Sequence, residues 1–465
     1  MGRSMQLIRL GAWAFLATVC WVAPLRAESP GWESLPKILD SIELPTFPDR
    51  EFSIVDHGAK VGGQTDVKPA IDAAIAACAQ AGGGKVIVPA GEWRVNGPIH
   101  LRSNINLHVA RGATLRFSAE PRHFLPAVFT RFEGTELLNF SPLIYALDQE
   151  NIAVTGEGTL DGQAGPKSWW PWKGKWGGEV DHGWREGDPD QIGAVARLGK
   201  LADEGVAPAE RTFGESDRLR PSFVQPYRCR RVLIEGVTIV NSPMWILNPV
   251  LCEAVTIRGV TVDSHGPNND GCNPESCRNV LIEKCTFDTG DDCIAIKSGR
   301  NADGRRLNRP SENIVVRQCT MRDGHGGVTL GSEMSGGIRN VFVEECEMSS
   351  PQLERAIRLK SNSLRGGFLE NLYVRNVRVG EVSDAVIHVD LRYFGETGTH
   401  PPVVRNLQLD RVTSQKSKRP LFLLGTAESP IQNVVISNSE FAKAAKPSVL
   451  EFVKNLRLDN VTQPE

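Results

Sequence analysis

A chain of 465 residues with a formal net charge of −2 has no general attraction for nucleic acid or an anionic membrane, so any basic patch must be local. Its 40% hydrophobic content supports a large core, in one long repeat domain or in two or three ordinary ones.

Arg3 and Arg9 begin a mostly apolar stretch from Leu10 to Pro24, and Leu25-Arg26-Ala27 ends on a small residue before Glu28. The stretch is too short to span a bilayer. It predicts a cleavable leader over 1–27, with export to the periplasm or the exterior and no membrane partner afterwards; a retained anchor is the alternative. Export permits disulfides. Removing Cys20 from the ten cysteines leaves nine, so at least one is unpaired.

Residues 28–50 read as a lead segment, and 51–465 as one repeat domain. The run "TDVKPAIDAAIAACAQAGGG" predicts a helix opened by Thr65 and Asp66, with an early Pro69 and a glycine stop. Such a helix would cap the first coil of a solenoid. Residues 161–220 interrupt the pattern, and their stretch "GPKSWWPWKGKWGG" carries Trp169, Trp170, Trp172 and Trp176. That insertion reads either as a self-packed loop or as a wall over a sugar-binding cleft.

From about residue 230 one phrase recurs, as in "RRVLIEGVTI", "RNVLIEKCTF" and "ENLYVRNVRV". Its first apolar residue falls at Val232, Val255, Val280, Ile314, Val341, Leu372, Leu407 and Val434, with spacings of 23 to 35 residues. Fixed strands with variable loops mark a solenoid. Apolar positions alternate within each phrase, then change parity by the fifth position, which predicts a bend. Cys285, Cys319 and Cys346 stand where other phrases have valine, so they read as core residues. Asn279, Asn313, Asn340, Asn371, Asn406 and Asn433 precede the starts and predict a hydrogen-bonded stack. The fold expected is all-β, a single-stranded right-handed parallel β-helix with an N-terminal capping helix; a leucine-rich horseshoe is the runner-up.

Two neighbouring coils end in acidic residues: "GPNNDGCNP", with Asn268 and Asp270, and "TGDDC", with Asp291 and Asp292. Gly-Asp-Asp alone suits a solvated turn. The gap of 21 residues, close to one short coil, instead brings the three carboxylates together. One of them should then keep a proton. A proton-holding acid beside ionised carboxylates fits glycoside hydrolysis, and calcium binding competes with it. His325 sits among glycines, and Arg358 and Lys360 share one strand face, suited to a substrate carboxylate.

Asn268-Asn269-Asp270-Gly271, Gly290-Asp291-Asp292, Gly324-His325-Gly326 and Arg358-Leu359-Lys360 resemble, in order, the four motifs of polygalacturonases, glycoside hydrolase family 28. Asn269 departs from the threonine common there. The resemblance implies hydrolysis with inversion, without cofactor or metal. Asp291 would be the general acid, Asp270 and Asp292 would activate water, and His325 would support the acid or touch substrate. Arg358 and Lys360 would hold a galacturonate carboxylate, so the implied partner is an acidic polysaccharide such as galacturonan.

The stretch around these motifs looks most like bacterial exo-acting members, with the Trp-rich insertion closing one end of the cleft. Lys297, Arg300, Arg305, Arg306, Glu333 and Tyr393 are candidate substrate contacts by position. Endo action, a rhamnogalacturonan or xylogalacturonan substrate, a calcium-dependent lyase and a noncatalytic binding solenoid are the competing readings.

Overall fold

The computed structural model describes residues 1–2, 31–177 and 181–463. All but the first two residues of the expected leader therefore lie outside the described residues. From Glu51 to Thr462 the chain winds as a parallel β-helix whose coils stack strand on strand.

The repeated phrase forms two of its faces. Val232, Val255, Val280, Ile314, Val341, Leu372, Leu407, Val434 and Leu456 pair in one register column, the column read from the sequence with one more rung. All but the last are buried. Each such side chain contributes about 1.5–3 kcal/mol relative to an exposed one.

The parity change is a backbone corner. Four residues past each start the chain turns left-handed, at Gly236, Gly259, Lys284, Gln318, Glu345, Asn376, Arg411 and Asn438. One residue before each start lies a second left-handed position, occupied by asparagine from Asn279 onward. Asparagine tolerates that conformation, and its side chain does further work there. Asn313 Nδ2 donates to Asn279 at 2.9 Å, and the ladder continues through Asn340, Asn371, Asn406 and Asn433 to Asn455.

Cys285, Cys319 and Cys346 are buried in the inward column beside valines. A second ladder went unread. The backbone N–H of Cys229 donates to Sγ of Cys252, and that of Cys252 to Sγ of Cys277, each at 3.4 Å.

The capping helix spans Lys68–Gln80 and buries Ala70, Ile71, Ala74, Ile75 and Cys78 against the first coil. Asp66 Oδ1 accepts from the Lys68 N–H at 3.0 Å, and Gly82 and Gly83 end the helix with positive φ. The lead segment holds a short helix, Leu35–Asp40, whose Leu35 and Ile38 pack on Leu281, Val315, Phe342 and Tyr373 outside the coils.

Two excursions leave the β-helix on the side of the third face. An antiparallel hairpin joins Val128–Phe132 to Thr135–Asn139. The Trp-rich insertion carries a helix, Ile192–Asp203, whose Ala194 and Leu198 pack with Phe132 and Leu137 of the hairpin and with Trp245.

Candidate active site

The third face contains Ile294–Ile296, Val328–Gly331 and Arg355–Lys360, paired in parallel. Cys272 bridges to Ile294, which pairs with Val328. Counting back from those partners places Asp270 against Asp292 and Asp291 against His325 on successive coils. Backbone bonds fix this registry: Gly271 N–H donates to Asp292 O at 2.9 Å, and His325 N–H to Asp291 O at 3.1 Å. Two glycines make it possible. A Cβ on Gly324, whose φ is 149°, would meet Asp291 O at 2.6 Å, and one on Gly326 would meet Asp292 Oδ1 at 2.9 Å.

Each aspartate has its own cation. Asp292 is buried; its Oδ1 accepts from Arg358 at 3.0 Å and Thr329 at 2.9 Å, and its Oδ2 from Lys360 at 2.7 Å. Burial alone would raise its pKa, but Lys360 and Arg358 hold it far below the usual carboxylate range. Asp291 Oδ1 lies 3.0 Å from His325 Nδ1. Burial opposes its ionisation too, and the His325 charge and hydrogen bond outweigh that effect and lower its pKa. The same pairing lifts His325 from 6.5 to about 9, with Asp291 the main cause.

Asp270 differs. Its Oδ2 takes Lys297 at 3.3 Å and Asn273 at 3.2 Å, while Lys297 also holds Glu333 at 3.1 Å. Burial, reinforced by Asp291 and Asp292, outweighs that shared lysine and pushes Asp270 well above the ordinary aspartate value. Of the three carboxylates Asp270 is thus the one pushed toward keeping a proton, and in the Asp291 pair the group pushed that way is His325.

The cleft measures 1060 Å³ and is lined by Asn268, Asp270, Asp291, His325, Arg358 and Lys360, with Lys297, Arg300, Glu333 and Tyr393 among further residues. Asn268 Oδ1 accepts from Arg220 at 2.7 Å. Arg300 pairs with Glu133 at 2.6 Å, and Tyr393 places its ring 5.7 Å from Arg358 and 5.3 Å from Lys360. Asn269 is buried; its side chain bonds Ser264, Gly266, Ser242 and Met244, so it holds the turn and touches no cleft.

Two of the candidate contacts, Arg305 and Arg306, are not among the residues that line the cleft. Arg305 donates to the Leu364 and Arg365 carbonyls at 3.1 Å, and Arg306 pairs with Asp303 and Glu136. The short helix Asn301–Leu307 turns both away from the cleft wall.

A family model described as "Glycosyl hydrolases family 28" matches residues 207–458, and one described as "Rhamnogalacturonase A/epimerase, pectate lyase-like" matches 51–112. The crystal structure of a hyperthermoactive exopolygalacturonase from Thermotoga maritima is 47% identical, covers 92% of this chain and 95% of that one, and superposes with a TM-score of 0.89. A probable polygalacturonase of Vitis vinifera is 28% identical over 88% of this chain and 78% of its own. An endo-polygalacturonase of Pectobacterium carotovorum subsp. carotovorum is 26% identical over 78% of this chain and 81% of its own. The chain belongs to glycosyl hydrolases family 28.

Around this family 28 site the insertion acts as a wall and also packs on itself. Trp169 and Trp170 are buried, with Trp170 Nε1 donating to Ser242 O at 2.9 Å. Trp176 instead stacks on His325, with ring centroids 6.0 Å apart and planes 21° from parallel. Lys173, Trp176 and His182 all face the cleft. The hairpin contributes Glu133 from its tip, and close behind the tip it is pinned by a fully buried pair, Arg131 with Glu275 at 3.1 Å.

Sequence reasoning missed Glu133, Lys173, Arg365 and Glu396, which also line the cleft. It missed one further group: His265, Asp288 and Asp323 bring ligand atoms within 4.8 Å of one another, the only such trio among the described residues. Asp270, Asp291 and Asp292 form no comparable group there. Lys297 faces Asp270, His325 faces Asp291, and Arg358 and Lys360 face Asp292, and this set of cations argues against calcium at the motif carboxylates.

Proposed function

We propose that this protein hydrolyses α-1,4-galacturonosidic bonds of polygalacturonate from the chain end, releasing galacturonate with inversion. The observation that carries this is the register of the coils: it gathers Asp270, Asp291, His325, Arg358 and Lys360 around one cleft, with Asp292 buried behind the two cations. The Thermotoga maritima exopolygalacturonase at 47% identity supports the chain-end mode.

The chemistry needs one proton delivered to the leaving oxygen and one taken from water. Asp291 gives the first, drawing on the proton held at His325 Nδ1, 3.0 Å away. The attacking water forms the new bond to the anomeric carbon as the glycosidic bond breaks, and its proton passes to an ionised carboxylate. Asp270 suits that role once deprotonated, because its hydrogen bond and ion pair both use Oδ2. Asp292 is engaged at both oxygens, so it serves chiefly as the anion that fixes Arg358 and Lys360. Those cations, still facing the cleft, offer their remaining donors to a uronate carboxylate. Acidic homogalacturonan is favoured over neutral-substituted pectins because His325, Arg358 and Lys360 together suit contiguous uronates.

Digestion of polygalacturonate with early products resolved by size tests the reading. Monomer alone supports it. A ladder of oligomers rejects chain-end action, and an unsaturated, ultraviolet-absorbing product rejects hydrolysis altogether. Residues 1–27 are further proposed to direct export; a mature N-terminus at Glu28, read from the exported protein, tests that.

A further inference from the structure

Seven lysine and arginine side chains line the cleft, and six of them have carboxylate partners. Arg300 is held by Glu133 at 2.6 Å, Arg365 by Glu396 at 3.2 Å and Arg355 by Asp384 at 3.1 Å. Lys297, Arg358 and Lys360 hold the motif aspartates, as described above. The seventh is Lys173, on the Trp-rich insertion. Among the described residues it forms no ion pair, and its Nζ lies 5.4 Å from the centroid of the Trp176 ring.

A half-buried ammonium without a counter-ion is costly unless a ligand supplies one. The location indicates which ligand. Trp176, three residues on, stacks over His325, and His325 bonds Asp291. Lys173 therefore lines the same cleft as the acid, within range of the Asp291 charge and on the side that the insertion walls off. Burial lowers its pKa, the charges of Glu133 and Asp291 oppose that, and Arg220 and Arg300 add to it. An anion arriving there would hold Lys173 charged.

We infer that Lys173 receives the carboxylate of the terminal uronate, and so makes the insertion a specificity element that reads an acidic chain end. This rests on the chain-end reading above. It differs from the Arg358/Lys360 pair in being supplied by the insertion and in having no ion-pair partner among the described residues. A charge-assisted bond to the terminal ring would favour an acidic over a neutral terminus, with the ring hydroxyls left as they are.

The test compares digalacturonate with 4-O-α-galactosyl-galacturonate, whose terminal ring keeps its hydroxyls and has no carboxylate. Wild type should cleave the first with kcat/KM at least tenfold higher, a gap suited to one charged hydrogen bond. Lys173→Met keeps the aliphatic stem and should bring that ratio below about threefold, whereas Lys173→Arg should restore most of it. The change should fall mainly on KM, and the thermal midpoint of each variant separates lost recognition from lost folding. If Lys173→Met fails to fold, the Lys173→Arg ratio decides, since loss of discrimination in a folded, charge-retaining variant counts against the assignment. Monomer release by wild type with an unchanged ratio in Lys173→Met overturns this assignment alone. A wild type that cuts neither disaccharide and makes a ladder from the polymer overturns the chain-end reading, and the assignment falls with it.

Discussion

His325 lies one coil beyond Asp291, and its Nδ1 sits 3.0 Å from the Asp291 carboxylate. The pair holds one proton, placed on the imidazole, whose pKa is raised from 6.5 to about 9. A raised histidine pKa means the protonated, competent form dominates below about 9 and is lost as pH rises through it. The rate should therefore fall on the alkaline side near that value. His325→Asn should move the alkaline limb downward, and Asp291→Asn should cut kcat by about 10²–10⁴ while leaving the fold intact. A pH–rate profile of kcat/KM checks both; an alkaline limb unmoved in His325→Asn contradicts the proton assignment.

The acid limb belongs to Asp270. Its pKa stands above the ordinary aspartate value because burial and two neighbouring carboxylates outweigh Lys297. As pH falls through that raised value, Asp270 takes up a proton and cannot accept one from water. Activity should therefore fail at higher pH than a free carboxylate would dictate. Removing the attraction of the ammonium by Lys297→Met should move the limb further upward in the same pH–rate profile.

Lys297 also holds the cleft floor together. Its side chain is 3% exposed, it joins Asp270 to Glu333, and it lies 4.4 Å from the Trp245 ring centroid. Removing the ammonium leaves two buried carboxylates without their shared partner. Breaking a buried pair in this way costs about 3–5 kcal/mol, so Lys297→Met should lower urea stability by that order. Equal unfolding midpoints for variant and wild type would show that the pair is not structural.

The stacked columns could be read from the sequence because a solenoid repeats its packing problem at every coil. Val232 and Leu407 occupy equivalent places in one register column, each between two apolar partners, so they share a residue class. The four motifs were legible for the same reason, since register alone sets Asp291 against His325. The hairpin was not. Arg131 and Glu136 are buried there, against Glu275 and Tyr227, which inverts the polar-out alternation of an ordinary strand. A signal existed in Glu133-Gly134, both at positive φ, the mark of a two-residue hairpin turn. The docked lead helix likewise had a trace: Leu281, Val315, Phe342 and Tyr373 break the outward polar pattern. Arg305 and Arg306 misled because a basic pair near a cleft motif looks like a ligand site. Helix geometry decided against them.

Asparagine in the ladder does two jobs at once. Asn340 donates to Asn313 at 3.1 Å, accepts from Asn371 at 3.0 Å, and has φ 56°. Asn340→Ala removes two hydrogen bonds worth about 1 kcal/mol each and keeps the left-handed Cβ that Asn340 already carries. A loss of about 2 kcal/mol is expected in equilibrium unfolding. Asn340→Gly should lose less, since it gives up the same hydrogen bonds and sheds that Cβ. A larger loss for glycine than for alanine would contradict this division.

Arg358 and Lys360 both engage Asp292, one at each oxygen, and both face the cleft. Their contributions to substrate binding therefore cannot be independent. Arg358→Ala removes one partner of Asp292 and draws Lys360 further onto the carboxylate, leaving it less free for a uronate. The single variant should already raise KM for polygalacturonate by about tenfold or more, as expected for a lost charge-assisted bond. Arg358→Lys should restore little, because lysine cannot reach Asp292 and a substrate carboxylate through one planar fork. The double variant should lose less than the summed effects of the two singles, with a coupling of about 0.5–3 kcal/mol. A double-mutant cycle on kcat/KM measures this directly. Strict additivity would mean that the two cations act on separate substrate groups and that Asp292 does not link them.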